Sequence, residues 1–312
     1  MHATVAKHYF FGGSFPIGGS SQVVGTIDPV IKSAGGTILI NAEVEEIIIK
    51  DNKAKGVKMK DGKTFFADLI VSGTGVKNTF GKLVPESVSV KHNFKDQLKN
   101  VAPSAAHVCL YLGLNASPEE LQLTRTNLWI YPEKGDHDTC VANYLNDINE
   151  DFPVVYISFP SAKDPDWSNR YPNKSTIDII TLVPFEIFAP WEGTRWMKRG
   201  DEYLKEKEKI TTRLLEKLYK QLPHLEGRID HQELSTPLTT QHFINYEKGE
   251  IYGLEHTPDR FNQKFLKPKT PIKNLYLTGQ DIVSAGVGAA LFSGLLTAST
   301  ICKKNFMSKI YE

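Results

Sequence analysis

Gly279-Gln280-Asp281, directly after the alternating apolar residues Leu275 and Leu277, is where residue type and spacing point most directly to chemistry. An aspartate just beyond a strand end can accept hydrogen bonds from ligand hydroxyls. Its ordinary alternative is a helix cap, but Ser284 stands closer to the expected helix start and takes that role more naturally. Gly286-Val287-Gly288 follow. Backbone N–H groups there would lie at the positive end of a helix dipole, which stabilises negative charge on a bound group.

Other chemistries find little support. There is no G-x-S-x-G elbow, no H-E-x-x-H and no carboxylate-rich metal loop. The nine histidines are scattered, and His107 lies in a strand-like run where a core or edge histidine is the ordinary reading. Asp136-His137-Asp138 has metal-ligand types, but in a glycine-containing loop it reads as a solvated turn, so no metal is expected. Three widely spaced cysteines, Cys109, Cys140 and Cys302, make neither a disulfide framework nor a zinc knuckle. Lys+Arg 37 against Asp+Glu 36 leaves a net charge of +1, which removes the electrostatic case for nucleic acid.

The elements that must position the Gly279–Gly288 stretch belong to a run from Asn274 to Ile301, uncharged after Asp281. Such a run is long enough to span a bilayer, with Lys303-Lys304 as its flank. The competing reading is a strand (Asn274–Thr278), a glycine turn and a buried helix that faces a ligand. Ser284, Ser293, Thr297, Ser299 and Thr300 are too polar for a single span, which favours the second. Gly286, Ala290, Gly294 and Ala298 recur every fourth residue, so one helix face carries almost no side chain and admits close approach.

The remaining chain, 312 residues with 40% hydrophobic content, suffices for one large or two ordinary domains. Gly12-Gly13 and Gly18-Gly19 read as turns. A helix capped by Ser20 or Ser21 carries Val23, Val24, Ile27, Val30 and Ile31, contains Pro29 and ends at Gly35-Gly36. Strands are expected at 37–40, 44–50, 54–60 and 67–72, with turns at Asp51-Asn52 and Asp61-Gly62. Gly73-Thr74-Gly75 closes the last of these, a weak cofactor-edge signal. Further strands are expected at 105–112, 127–131, 154–159 and 176–183. The run 201–222 predicts a helix buried through Leu204, Ile210, Leu214 and Leu218, with Pro223 as its stop. No targeting segment follows Met1.

Three patterns resemble the FAD-dependent phytoene-desaturase and amine-oxidase superfamily: Gly35–Ile47 (GGTILINAEVEEI), ADLIVSGTG at Ala67–Gly75, and LYLTGQD at Leu275–Asp281 with the GVGAALFSGLL that follows. HYFFGGSFPIGGSS (His8–Ser21), FPSAKDPDWSNRYPNKST (Phe159–Thr176) and TPLTTQHF (Thr236–Phe243) are similar to its retinol-saturating branch. The resemblance covers essentially the whole chain. It implies an α/β (α+β) fold: an incomplete FAD-binding Rossmann-like domain, 1–80 with 271–312, and an inserted mixed-sheet substrate domain, 81–270. The G-x-G-x-x-G turn that opens family members is absent from this sequence, so the chain is expected to be the carboxyl-terminal part of a longer enzyme.

Residue by residue, the resemblance implies that Val44 meets the adenine through its backbone. Gly279 and Asp281 would meet the ribityl and pyrophosphate region, and Gly286, Val287 and Gly288 the isoalloxazine edge. Gly18 and Gly19 would pass close to the flavin. His8, Tyr9 and Phe15, with Phe10 and Phe11, are expected to line an aromatic substrate cavity. No catalytic acid is assigned; Tyr9 is a candidate, although lining is its more ordinary role. The implied activity is FAD-dependent hydride transfer involving an apolar polyene, retinol or a carotenoid, with NAD or NADP as a possible electron donor. Association with a membrane surface, the endoplasmic reticulum in a eukaryote, completes the expectation. A carotenoid desaturase or isomerase and a non-catalytic fragment that binds no FAD alone are its alternatives.

Overall fold

The computed structural model describes Phe10 and residues 12–310. Along the chain run α1 (Ser21–Ser33), β1 (Val44–Lys50), β2 (Lys53–Met59), β3 (Thr64–Phe66) and β4 (Ile70–Ser72). Next come β5 (His107–Leu114), β6 (Leu128–Ile130), α2 (His137–Asn146), β7 (Val155–Ser158) and β8 (Ser175–Leu182). Then follow α3 (Asp201–Gln221), β9 (Ile229–Ser235), α4 (Pro237–Ile244), β10 (Leu275–Leu277) and α5 (Val287–Cys302). Two compact units result: one runs up to Ile38 and resumes over His107–Thr236, the other joins Leu39–Ala106 to the chain from Pro237 onward.

The first unit is built on an antiparallel five-stranded sheet of order β6-β7-β8-β5-β9. Alternation assigns its faces. Val108, Leu110, Leu112 and Leu114 of β5 and Ile177 and Ile179 of β8 are buried on one side. α3 contributes Ile210, Leu214 and Leu218 to the buried set and touches β7, whereas Leu204 is 58% exposed, against expectation. Tyr203 is buried instead, its hydroxyl 2.8 Å from Thr236 Oγ1. Asp136 caps α2 by accepting the Thr139 N–H, so the Asp-His-Asp cluster opens a helix rather than a loop. β9 was not legible in the sequence, and α1 forms as the apolar period predicts but buries none of its residues.

In the second unit β1-β2-β3 is an antiparallel meander, turned at Asp51 and Asn52, whose φ values of 50° and 57° suit a two-residue hairpin. The stretch 37–40 forms no strand: it has no ladder partner, and Ile40 is 81% exposed. A strand is stabilised by its neighbours rather than by β-branched residues alone. β4 and β10 pair in parallel, Leu275 with Ile70 and Leu277 with Ser72. Beneath them lies a core of Ile47, Val76, Phe80, Phe94, Leu254 and Leu275, with Phe80 and Phe94 stacked at 4.0 Å.

Candidate functional site

Because β4 and β10 are parallel, both end on the same edge, and the turns that follow them meet. Thr278 donates its N–H to the Ser72 carbonyl at 2.9 Å, bringing Gly73-Thr74-Gly75 beside Gly279-Gln280-Asp281. This is the carboxyl-end crevice where parallel sheets hold ligands. Asp281 is 5% exposed, and its Oδ2 accepts the Val76 N–H at 2.8 Å. Its Oδ1 is buried and has no hydrogen-bond partner among the described residues. Two glycines give the carboxylate its room: a Cβ on Gly253 would stand 2.5 Å from Oδ1, and one on Gly75 3.1 Å from Oδ2.

Arg260, 2% exposed, fixes the turn from beneath. Its Nη2 donates to the carbonyls of Gln280 (2.8 Å) and Asp281 (3.2 Å), and its Nη1 to that of Leu254 (3.1 Å). Gln280 donates to the Tyr246 hydroxyl at 2.6 Å, and its Oε1 accepts the Gly286 N–H at 3.4 Å. His256 Nε2 accepts the Ala285 N–H at 2.8 Å. Burial raises the Asp281 pKa; the Val76 amide, Arg260 and the nearby Leu254 amide pull it back without cancelling the shift. Burial likewise raises Glu250, which lines the same small cavity with Tyr246, Thr74 and Asn78. Desolvation therefore outweighs the attraction of the nearby cations, and both carboxyls favour the protonated form more than an exposed acid does.

α5 starts at Val287 with Gly286 in the cap position, two residues later than a Ser284 cap would place it, and no side chain among the described residues caps it. A Cβ on Gly286, Gly288 or Gly294 would meet nothing within 4 Å, and Val287 is exposed. The buried stripe of α5 is polar. Ser293 accepts the Gly279 N–H at 2.6 Å and donates to Ala290, while Thr297 donates to the Leu277 carbonyl at 2.8 Å. Ser293 and Thr297 dock the helix on β10, and the Gly286-Ala290-Gly294-Ala298 stripe is more open than they are. The hydroxyls at 293 and 297, read as evidence against a membrane span, are the docking groups themselves. Among the described residues no helix is long and apolar enough to cross a membrane.

Of the sequence-derived site residues, Gly279, Asp281, Gly286, Val287 and Gly288 share this strand, turn and helix. Val44 opens β1, an edge strand of the meander in the same unit. Phe15 belongs to the other unit and is half-buried; His8 and Tyr9 lie outside the described residues. Gly18, in that unit, donates its N–H to both Asp164 oxygens, at 3.0 and 3.1 Å. Arg260, Val76, Tyr246, Gly253 and His256 were not found from sequence. Gly73-Thr74-Gly75 was the one local signal near them.

A family model for flavin-containing amine oxidoreductases matches residues 2–302. The chain is 33% identical over 316 residues to the all-trans-retinol 13,14-reductase of Danio rerio, covering 98% of this chain and 52% of that protein. It is 26% identical to a chloroplastic prolycopene isomerase of Arabidopsis thaliana, over 95% of this chain and 46% of the isomerase. The chain thus spans about half the length of these relatives. A solved structure of wild-type putrescine oxidase bound to putrescine shares the fold, with a TM-score of 0.57 at 13% identity, over 92% of this chain and 54% of the oxidase. The α/β architecture with its paired parallel strands and the match along nearly the whole sequence agree: the chain belongs to the flavin-containing amine oxidoreductase family.

Proposed function

We propose that this chain is the carboxyl-terminal part of an FAD-dependent oxidoreductase that reduces an alkene of an apolar polyene, all-trans-retinol at its 13,14 bond. The observation that carries the reading is the meeting of Asp281 and the uncapped start of α5 at the carboxyl edge of two parallel strands. The similarity to retinol reductases supports the substrate class. FAD, when bound, supplies hydride chemistry, and the protein supplies binding, orientation and a dry pocket.

The residues present suit such a cofactor. Asp281 Oδ1, buried and without a hydrogen-bond partner among the described residues, is an acceptor for a ribityl hydroxyl. Gly279 lets the backbone approach the polyol and pyrophosphate region. The amides of Gly286, Val287 and Gly288 lie at the positive end of α5, where they would favour negative charge on the isoalloxazine edge. Val44 would meet the adenine through its backbone, and Gly18 and Gly19 would pass close to the flavin. Arg260 and Ser293 touch neither group in this reading; they hold the turn in place through its carbonyls and the Gly279 amide. His8, Tyr9 and Phe15 would line the substrate cavity. Residues 1–80 with 271–312 would carry the cofactor, and 81–270 the substrate.

The substrate is lipid-soluble, so the protein would work at a membrane surface, the endoplasmic reticulum in a eukaryote, with NAD or NADP as electron donor. A second reading, carotenoid isomerisation or desaturation, is favoured by the likeness to the prolycopene isomerase. Incubating the FAD-loaded protein and NADPH with all-trans-retinol and, separately, with prolycopene, then separating products by chromatography, distinguishes the two. Formation of 13,14-dihydroretinol supports the first reading; conversion of prolycopene alone replaces it with the second, and no conversion of either overturns both.

A further inference from the structure

The five-stranded sheet of the first unit has one buried face and one half-open face. Pairing registers align Trp129, Tyr156, Ile180 and Cys109 in one row across the open face. Ser158, Asp178 and Tyr111 form the next row, two residues along each strand. The first row is apolar and aromatic: Trp129, 61% exposed, meets Tyr156 edge-on at 4.8 Å. Strand spacing makes this row about 14 Å long and puts the polar row about 7 Å from it.

The polar row has an unused acceptor. Lys163 donates to Ser158 Oγ at 2.6 Å and to Asn127 Oδ1. Asp178 sits between Ser158 and Tyr111 in the ladder and is half-buried, and its carboxylate forms no hydrogen bond or ion pair among the described residues. Burial raises its pKa, with the Lys163 charge opposing; burial lowers Lys163, with Asp178 opposing. A carboxyl held like this beside an aromatic row is costly unless something completes its hydrogen bonding. A hydrocarbon laid over the first row would leave it incomplete. A molecule with one hydroxyl at the end of a long apolar body would satisfy both rows.

We propose that this face binds a long apolar alcohol, its body across Trp129, Tyr156 and Ile180 and its hydroxyl on the Asp178 carboxyl. This rests on the polyene reading above and makes Asp178 the residue that distinguishes an alcohol from a hydrocarbon. Such a hydroxyl bond is worth at least about tenfold in affinity.

The test is tryptophan quenching of the whole chain on titration with all-trans-retinol and, separately, with the hydrocarbon β-carotene. Asp178→Leu is expected to weaken retinol at least about tenfold, to leave β-carotene within about twofold, and Asp178→Asn to recover most of the loss. Circular dichroism checks folding; should the leucine variant not fold, Asp178→Val keeps a strand former, removes the acceptor and carries the same comparison. If the unaltered chain binds both probes and the variant binds retinol equally well, or loses both probes alike, the hydroxyl anchor is wrong while the polyene reading stands. If the unaltered chain binds neither probe, the polyene reading fails and takes the anchor with it.

Discussion

The Asp281 carboxylate, at the end of one parallel strand, accepts the Val76 N–H at the end of its neighbour, 2.8 Å away. This bond ties two glycine turns, more than two hundred residues apart in sequence, into one edge. It also leaves the second carboxylate oxygen buried and without a hydrogen-bond partner among the described residues. The arrangement costs stability and provides an acceptor, as expected where a site is built for a ligand rather than for the fold.

The pH dependence of that cost has a definite sign. The folded-state pKa of Asp281 is raised, so its contribution favours the folded state at acid pH and is lost as pH rises through the folded value. Replacing it by an isosteric neutral group removes this loss. Asp281→Asn is expected to raise the melting temperature relative to the parent at pH 8 but not at pH 4. A variant less stable at pH 8 than at pH 4, relative to parent, would contradict this.

Asp164 behaves oppositely. Burial works to raise its pKa, but the Gly18 and Asp166 amides and Arg170 outweigh it, and the carboxyl sits below its ordinary value. Its stabilising contribution is present above the ordinary carboxylate range and is lost as pH falls through the folded value. Asp164→Ala removes acceptors from two backbone amides and a guanidinium, and should cost roughly 3 kcal/mol at pH 7 in urea denaturation. A change under about 0.5 kcal/mol would mean that the 12–19 segment does not depend on this anchor.

Ser293→Ala leaves the Gly279 amide without its acceptor at the helix–strand junction. The expected loss is about 1–3 kcal/mol, with faster amide exchange confined first to residues 278–282. Ser293→Thr, which keeps the hydroxyl, should recover part of it.

The two faces of α3 give a paired test. Leu214 is fully buried and Leu204 largely exposed. Leu214→Ala should cost about 2–5 kcal/mol and Leu204→Ala less than about 0.5 kcal/mol, read from urea midpoints.

These contrasts mark what was legible in the chain. β5 and β8 were readable because Val108, Leu110, Ile177 and Ile179 alternate on a buried face. β9 was not: IDHQELS is polar along most of its length, and pairing with β5 rather than composition makes it a strand. The stretch 37–40 failed in reverse, β-branched but unpaired. At the site, Asp281 announced itself by position after an apolar strand. Arg260 did not, because it bonds backbone carbonyls about twenty residues away, and carbonyls leave no mark on sequence. Leu204 misled because helical period locates a stripe but not its width.

That residues 279–288 meet FAD can be read from hydrogen–deuterium exchange with and without the cofactor. Exchange at the amides of Gly279–Gly288 should slow when FAD is added, and that protection should be lost in Asp281→Ala. Exchange unchanged across this stretch, or protection that survives Asp281→Ala undiminished, would contradict it.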